Sequence, residues 1–123
     1  MRLKPDFTGT ANAIRAYNQG YIIVNNQSIR QSVIVTPERI ITDWPPQCFA
    51  ELQAAHLEWL FELQPEIVLL GTGARQQFPH PRLTYPLLNR GIGVEVMDTA
   101  AACRTYNFIM AEGRQVAAAL LMI

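Results

Sequence analysis

Charge is scarce in this chain. Asp, Glu, Lys and Arg make up 16% of its 123 residues, against roughly 25% in an ordinary domain. The two signs also cancel, ten basic residues against ten acidic, for a formal net charge of zero. A protein that neutralises nucleic-acid phosphates carries a basic excess or a Lys/Arg cluster. Neither is visible, so no nucleic-acid partner is expected. So low a charged fraction on a small protein points instead to surface covered by a protein partner. A slightly apolar monomer is the bland alternative, and a homo-oligomer stays open.

Cysteine is nearly absent as well. Cys48 and Cys103 are the whole supply, with no CxxC spacing, which excludes a disulfide framework and a zinc knuckle as inferences. The start, MRLKPDF, has no apolar h-region, so no secretory signal is expected. Val116 to Ile123 is apolar throughout but falls far short of the ~20 residues of a membrane helix. It reads as a buried strand. These absences together set cytoplasmic as the default and predict no membrane span, no metal and no cofactor.

What is present reads as one domain, 1–123, with an irregular segment over 1–12. YIIV (Tyr21–Val24), SVIVT (Ser32–Thr36) and RIITDW (Arg39–Trp44) are β-branched runs with turn residues between them. AIRAY is a further short strand candidate. Together they predict an N-terminal antiparallel β-meander. Leu52, Ala55, Leu57, Leu60, Phe61 and Leu63 then recur at helical spacing, predicting a helix near Gln53–Leu63 that stops before Pro65. EIVLLG (Glu66–Gly71) is a continuous apolar run, as in a strand covered on both faces. A short helix over Pro81–Arg90, a strand at Gly93–Met97, a helix over Thr99–Glu112 capped by Asp98, and the last strand complete the pattern. The second half is β-α-β-α-β, which implies parallel pairing. The fold class is α/β: three layers, a central mixed sheet flanked by helices.

The run VLLGTG invites a nucleotide-loop reading. A dinucleotide fingerprint needs a third glycine and a helix that starts at once. Gln76 stands where that glycine should be, and Phe78-Pro79-His80-Pro81 breaks the continuity. No Gly-Lys-Ser/Thr is present for a Walker A loop. Gly71 and Gly73 read better as the exit from a buried strand, with Thr72 between them. The loop still sits at the C-terminal edge of a parallel strand, where α/β folds bind ligands.

A second stretch, EVMDTAAACRTYN, gathers the remaining candidates. Glu95 faces away from Val94 and Val96 and needs a partner if buried, with Arg75, Arg104 or Arg114 available. It reads as an ion pair or hydrogen bonds fixing the strand, or else as a tuned acid or base. Asp98 and Thr99 suit a helix start. Thr99, Cys103 and Asn107 share one stripe at i, i+4 and i+8, with Tyr106 and Met110 beside it. Cys103 lies too far into the helix to feel its N-terminus and reads as a small buried hydrophobe. No histidine is placed by sequence to activate it. Neither a serine elbow nor HExxH appears.

LLGTG followed by Phe78-Pro79, and then GIGVEVMDTAAACRTYNFIMAEGRQVAAALL, resembles the Mth-type α/β domain family of unknown function. Its eukaryotic relatives include a mitochondrial assembly factor of respiratory complex I. The meander, the strand before Trp44 and the Leu63-Gln64-Pro65 corner agree. The resemblance implies a three-layer α/β domain, no established enzymatic activity, and protein partners in assembling a membrane complex. It maps the family pattern onto Gly71, Thr72, Gly73, Phe78, Glu95, Asp98, Thr99, Cys103, Tyr106 and Asn107, without assigning any of them a chemical role. No targeting peptide of the mitochondrial kind is expected at the MRLKPDF start, so the resemblance implies the compact prokaryotic form. The function expected is a non-enzymatic binding or assembly module whose partner surface lies near the Gly71–Phe78 loop and the start of the Asp98 helix. The alternative is an enzyme or small-molecule binder using a cleft there, with Glu95 or Asp98 as acid or base.

Overall fold

The computed structural model describes residues 11–123. Most of the expected irregular N-terminal segment, residues 1–10, lies outside the described residues.

Strands Ile14–Asn18 (β1), Tyr21–Val24 (β2) and Gln27–Ile29 (β3) form an antiparallel three-stranded sheet in that order. Ile22 and Val24 alternate inward. The β2–β3 turn is Asn25-Asn26, with Asn25 at φ 56, a left-handed conformation that a short amide side chain tolerates. β3 is a departure from the sequence reading, which placed no strand there. Gln27 and Ser28 are exposed and only Ile29 is buried, so the segment lacks the apolar run that marks a strand. The meander is therefore β1–β2–β3. Two segments assigned to it belong instead to the central sheet.

That sheet is built from Val33–Val35 (β4), Ile40–Ile41 (β5), Ile67–Thr72 (β6), Gly93–Met97 (β7) and Val116–Leu121 (β8), in the order β5-β4-β8-β6-β7. β6 runs parallel to both β7 and β8, and β4 pairs antiparallel with β8 and β5. The sheet is mixed, as its sequence pattern implied. Every residue of β8 is buried, which explains its lack of polar alternation. Its three alanines let covering elements approach closely from both sides: Ala118 faces one core cluster, Ala117 and Ala119 the other.

The helices are Ala54–Glu58 (α1), Pro81–Asn89 (α2) and Thr99–Ala111 (α3). The helix expected over Gln53–Leu63 divides into α1 and a 3₁₀ turn at Phe61–Leu63. Leu57 and Leu60 are buried and Leu63 half-buried. A spacing of three suits the tighter helix, whose turn holds three residues. Gln64 then turns left-handed at φ 50, and Pro65 prevents continuation.

One face of the central sheet is covered by α3 and the three-stranded sheet, around Leu69, Cys103, Tyr106 and Leu120. The other is covered by α1 and α2, around Trp44, Leu57, Leu70 and Leu87. No helix among the described residues is long and apolar enough to cross a membrane.

Candidate functional site

Strands β6 and β7 are neighbours, so the loop after β6 and the start of α3 meet at one end of the sheet. Gly71 lies under the N-terminus of α3. A Cβ added there would sit 2.8 Å from Thr99 Oγ1 and 3.1 Å from its Cα, closer than packed atoms approach. Only glycine lets the helix start so near the strand. Gly73 takes φ +105, a conformation that side chains disfavour. Its N–H donates to Thr99 Oγ1 at 2.9 Å, and its carbonyl accepts from the Thr99 N–H at 2.9 Å. The Thr99 hydroxyl donates in turn to the Leu121 carbonyl at 2.5 Å. A single buried threonine thus ties β6, α3 and β8 together.

Thr72 performs the same service for the loop. Its hydroxyl accepts from the Gln77 N–H at 3.1 Å and donates to the Arg75 carbonyl at 2.7 Å, with the Met97 carbonyl 3.2 Å away. Gln76 Nε2 donates to the Val96 carbonyl at 3.0 Å, fastening the loop to β7. Asp98 caps α3, its Oδ1 accepting from the Ala101 N–H at 2.8 Å. The Gly73 amide, which an anion would need, is already engaged inside the protein.

Farther along α3 the stripe of Thr99, Cys103 and Asn107 faces inward. Asn107 grips one residue of β1 with both ends of its amide: Oδ1 accepts from the Ile14 N–H at 2.8 Å and Nδ2 donates to the Ile14 carbonyl at 2.6 Å. The Tyr106 hydroxyl donates to the Asn12 carbonyl at 2.7 Å. Burial, and then the charge of Glu38, hold that phenol above its usual range. Cys103 is fully buried. Burial pushes its thiol up to about 12, with the nearby Arg104 charge pulling the other way and Asp98 adding to the rise. It is therefore a protonated core residue at neutral pH.

Glu95 differs from its structural expectation. Val94 and Val96 pack against the second cluster, so Glu95 does point to the opposite face, but β7 is an edge strand and the carboxylate is exposed. It has no ion pair among the described residues. Of its three candidate partners, Arg114 pairs with Glu66 at 3.3 Å and Arg104 donates to the Tyr17 hydroxyl at 2.9 Å. Phe78 is the outlier in the other direction, 77% exposed. The loop that holds it is fastened at Thr72 and Gln76, yet its ring has no place in the core.

Sequence reasoning missed two sets of surface residues. Tyr85 and Leu88, on α2, are 62% and 52% exposed. They are three apart and share a face of the helix that follows Phe78. A groove of about 500 Å³ also opens between β5 and α1, lined by Arg39, Ile41, Asp43, Glu58, Trp59 and Glu62 among others. Glu58 and Glu62, four apart beside a tryptophan, were the signal that could have flagged its helical wall. Its strand wall comes from a distant part of the chain.

The geometry defines a mixed α/β domain whose most distinctive residues bind its own elements together. The family described as Protein of unknown function (DUF498/DUF598) matches residues 14–121, and the chain belongs to that family. A crystal structure of a protein from Bordetella parapertussis is similar at 45% identity and a TM-score of 0.86, covering 91% of this chain and 96% of that one. A solution structure from Bordetella pertussis, described as a Mth938-like domain, is 37% identical with a TM-score of 0.83, covering 98% of this chain and 92% of that one. Among curated relatives, NADH dehydrogenase (ubiquinone) 1 alpha subcomplex assembly factor 3 of Bos taurus is 33% identical over 88% of this chain. The match spans 59% of that relative's length.

Proposed function

We propose that this domain is a non-enzymatic assembly module that captures a protein partner through the apolar surface at Phe78, Tyr85 and Leu88. The observation that carries the reading is Phe78, held out at 77% exposure by a loop tied down at Arg75, Gln76 and Gln77, immediately before it. Exposed aromatic and aliphatic residues on a rigid support are what interface anchors are made of. In this reading Gly71, Thr72, Gly73, Asp98 and Thr99 set the position of the loop. Glu95 lies beside it on the edge strand, and Cys103, Tyr106 and Asn107 act through the fold. The partner is a protein rather than a nucleic acid, in keeping with the balanced charge.

Kinship with an assembly factor for NADH dehydrogenase supports the choice of an assembly role. It extends the proposal to a respiratory membrane complex as the object of assembly. A cytoplasmic setting belongs to the same proposal, supported by the paucity of cysteine.

The test is affinity capture of the tagged protein from its host's lysate with membranes gently solubilised, comparing wild type with Phe78→Ala. Removing an exposed ring should shift stability by no more than about 0.5 kcal/mol. The expected result is recovery of membrane-complex subunits that falls at least about tenfold in the folded variant, the scale of an interface anchor. Equal recovery from both proteins would overturn the surface.

A further inference from the structure

We propose that the groove between β5 and α1 is a second docking site, for a basic amphipathic segment of a partner polypeptide. The groove goes beyond the Phe78 surface and is independent of it.

One wall is the strand side, Arg39, Ile41 and Asp43, whose spacing of two puts them on one face of an extended chain. The other is the helical side, Ala55, Glu58, Trp59 and Glu62, which follow helical spacing. The two walls are pinned at their base. Trp44, next to Asp43, is buried, and its Nε1 donates to the His56 carbonyl of α1 at 2.9 Å. The turn entering the strand wall is also fixed, since the Thr36 N–H donates to the Arg39 carbonyl at 2.9 Å and Thr36 Oγ1 accepts from the Arg39 N–H at 2.9 Å. The groove is therefore preformed, which lowers the entropy lost on binding. A smaller hollow continues it through Arg39, Glu62 and Leu63 to Glu38, Pro65 and Val116. That hollow lies at the amino-terminal ends of β6 and β8, the opposite end from the Gly-Thr-Gly corner.

The lining dictates the occupant. Ile41, Ala55, Leu63 and Trp59, which is 37% exposed, supply apolar surface. Glu38, Asp43, Glu58 and Glu62 are four carboxylates against the single guanidinium of Arg39. None of the four is in a salt bridge among the described residues, where Arg114 with Glu66 is the one pair. The chain as a whole is neutral, so this acidity is a local segregation. A second copy related by a two-fold axis would set the acidic groove against itself and be repelled. A segment with apolar side chains between Lys or Arg residues satisfies floor and rim together, and the Trp59 ring adds an attractive face for a cation.

The experiment titrates the purified protein with a synthetic peptide of alternating Lys and Leu, about a dozen residues long, enough to occupy a groove of this kind. Trp59 fluorescence is the readout, because Trp44 is 1% exposed. Saturable binding is expected. It should weaken at least about tenfold in E58K/E62K and fall with added salt, as for close charge pairs. The remote double reversal E95K/E112K and Phe78→Ala should each leave the affinity within about twofold, since distant exposed sites act independently. Failure of the Phe78 surface would thus leave this result untouched, and the converse holds. Equal binding by E58K/E62K, or the same loss in E95K/E112K, would overturn the proposal. So would a dimer in sedimentation that E58K/E62K abolishes, which would assign the groove to a second copy.

Discussion

The two faces of the central sheet are covered in different ways. On the first, α3 and the three-stranded sheet are tied to each other and to the strands by directed polar bonds: Thr99 to Gly73 and Leu121, Asn107 to Ile14, Tyr106 to Asn12, Arg104 to Tyr17. On the second, α1 and α2 rest on an apolar cluster, with the Trp44 indole bond to His56 as the tie to α1. Among the described residues, four of the five large hydrophobic residues left exposed, Trp59, Phe78, Tyr85 and Leu88, belong to α1, α2 or the segments adjoining them; Phe108 on α3 is the fifth. The first face carries the residues that look most distinctive in the sequence, and their bonds close inward. The less distinctive second face holds most of the large apolar side chains left exposed among the described residues.

The largest effect that probes this contrast is Tyr106→Ala. It empties a fully buried aromatic site and frees the Asn12 carbonyl, with an expected cost of about 3–5 kcal/mol, as for other buried aromatic truncations. Leu87→Ala is its counterpart on the second face, where an aliphatic truncation costs about 2–5 kcal/mol. Urea unfolding of both variants measures the pair. A larger loss at Leu87 would invert the comparison.

Asn107→Ala comes next. It removes two bonds to Ile14 and leaves both backbone groups of that residue without their partner. An unsatisfied buried polar group costs about 1–3 kcal/mol. The loss should be local as well as global: hydrogen exchange at the Ile14 amide should accelerate while the amides of β8 stay protected. Uniform acceleration would show that Asn107 does not clasp β1 separately.

Cys103 supplies a pH test. Its folded value is raised to about 12 from 9.0, so the native state holds the proton more tightly than the unfolded chain. The stability this lends is complete below pH 9 and is lost as pH rises through the window to 12. Wild-type stability should therefore fall more steeply over that window than that of Cys103→Ala. At neutral pH, iodoacetamide should label Cys48, which is exposed, and spare Cys103. Matching alkaline slopes would remove the thiol from the account.

Much of the second half was legible because its signals are local. The apolar runs of β6 and β8, the Asp98 cap and the glycine after α3 each identify an element from adjacent residues. β3 was not, because two of its three residues are polar and its pairing with β2 is all that makes it a strand. The Gly-Thr-Gly run was recognisable as a turn, but the need for glycine at Gly71 comes from Thr99, which sequence cannot bring beside it. The groove was illegible for the same reason. Its walls lie on two stretches of chain joined at the Trp44–His56 bond.

The smallest expected effect belongs to Glu95. Alternation in β7 predicted its direction correctly, and the edge position of the strand removed the burial that would have demanded a partner. Glu95→Gln keeps shape and removes charge at an exposed site with no ion pair among the described residues. Its stability should change by no more than about 0.5 kcal/mol. If the carboxylate instead belonged to a clamped network with Arg75, the substitution would cost more than that, and the loss would shrink in an Arg75→Ala background, as coupled residues require. A double-mutant cycle by thermal unfolding separates the two. A coupling beyond measurement error would draw the edge of β7 into the tied part of the molecule and narrow the contrast between the two faces. Additive effects would leave Glu95 on the open rim beside the Phe78 loop, free to meet a partner.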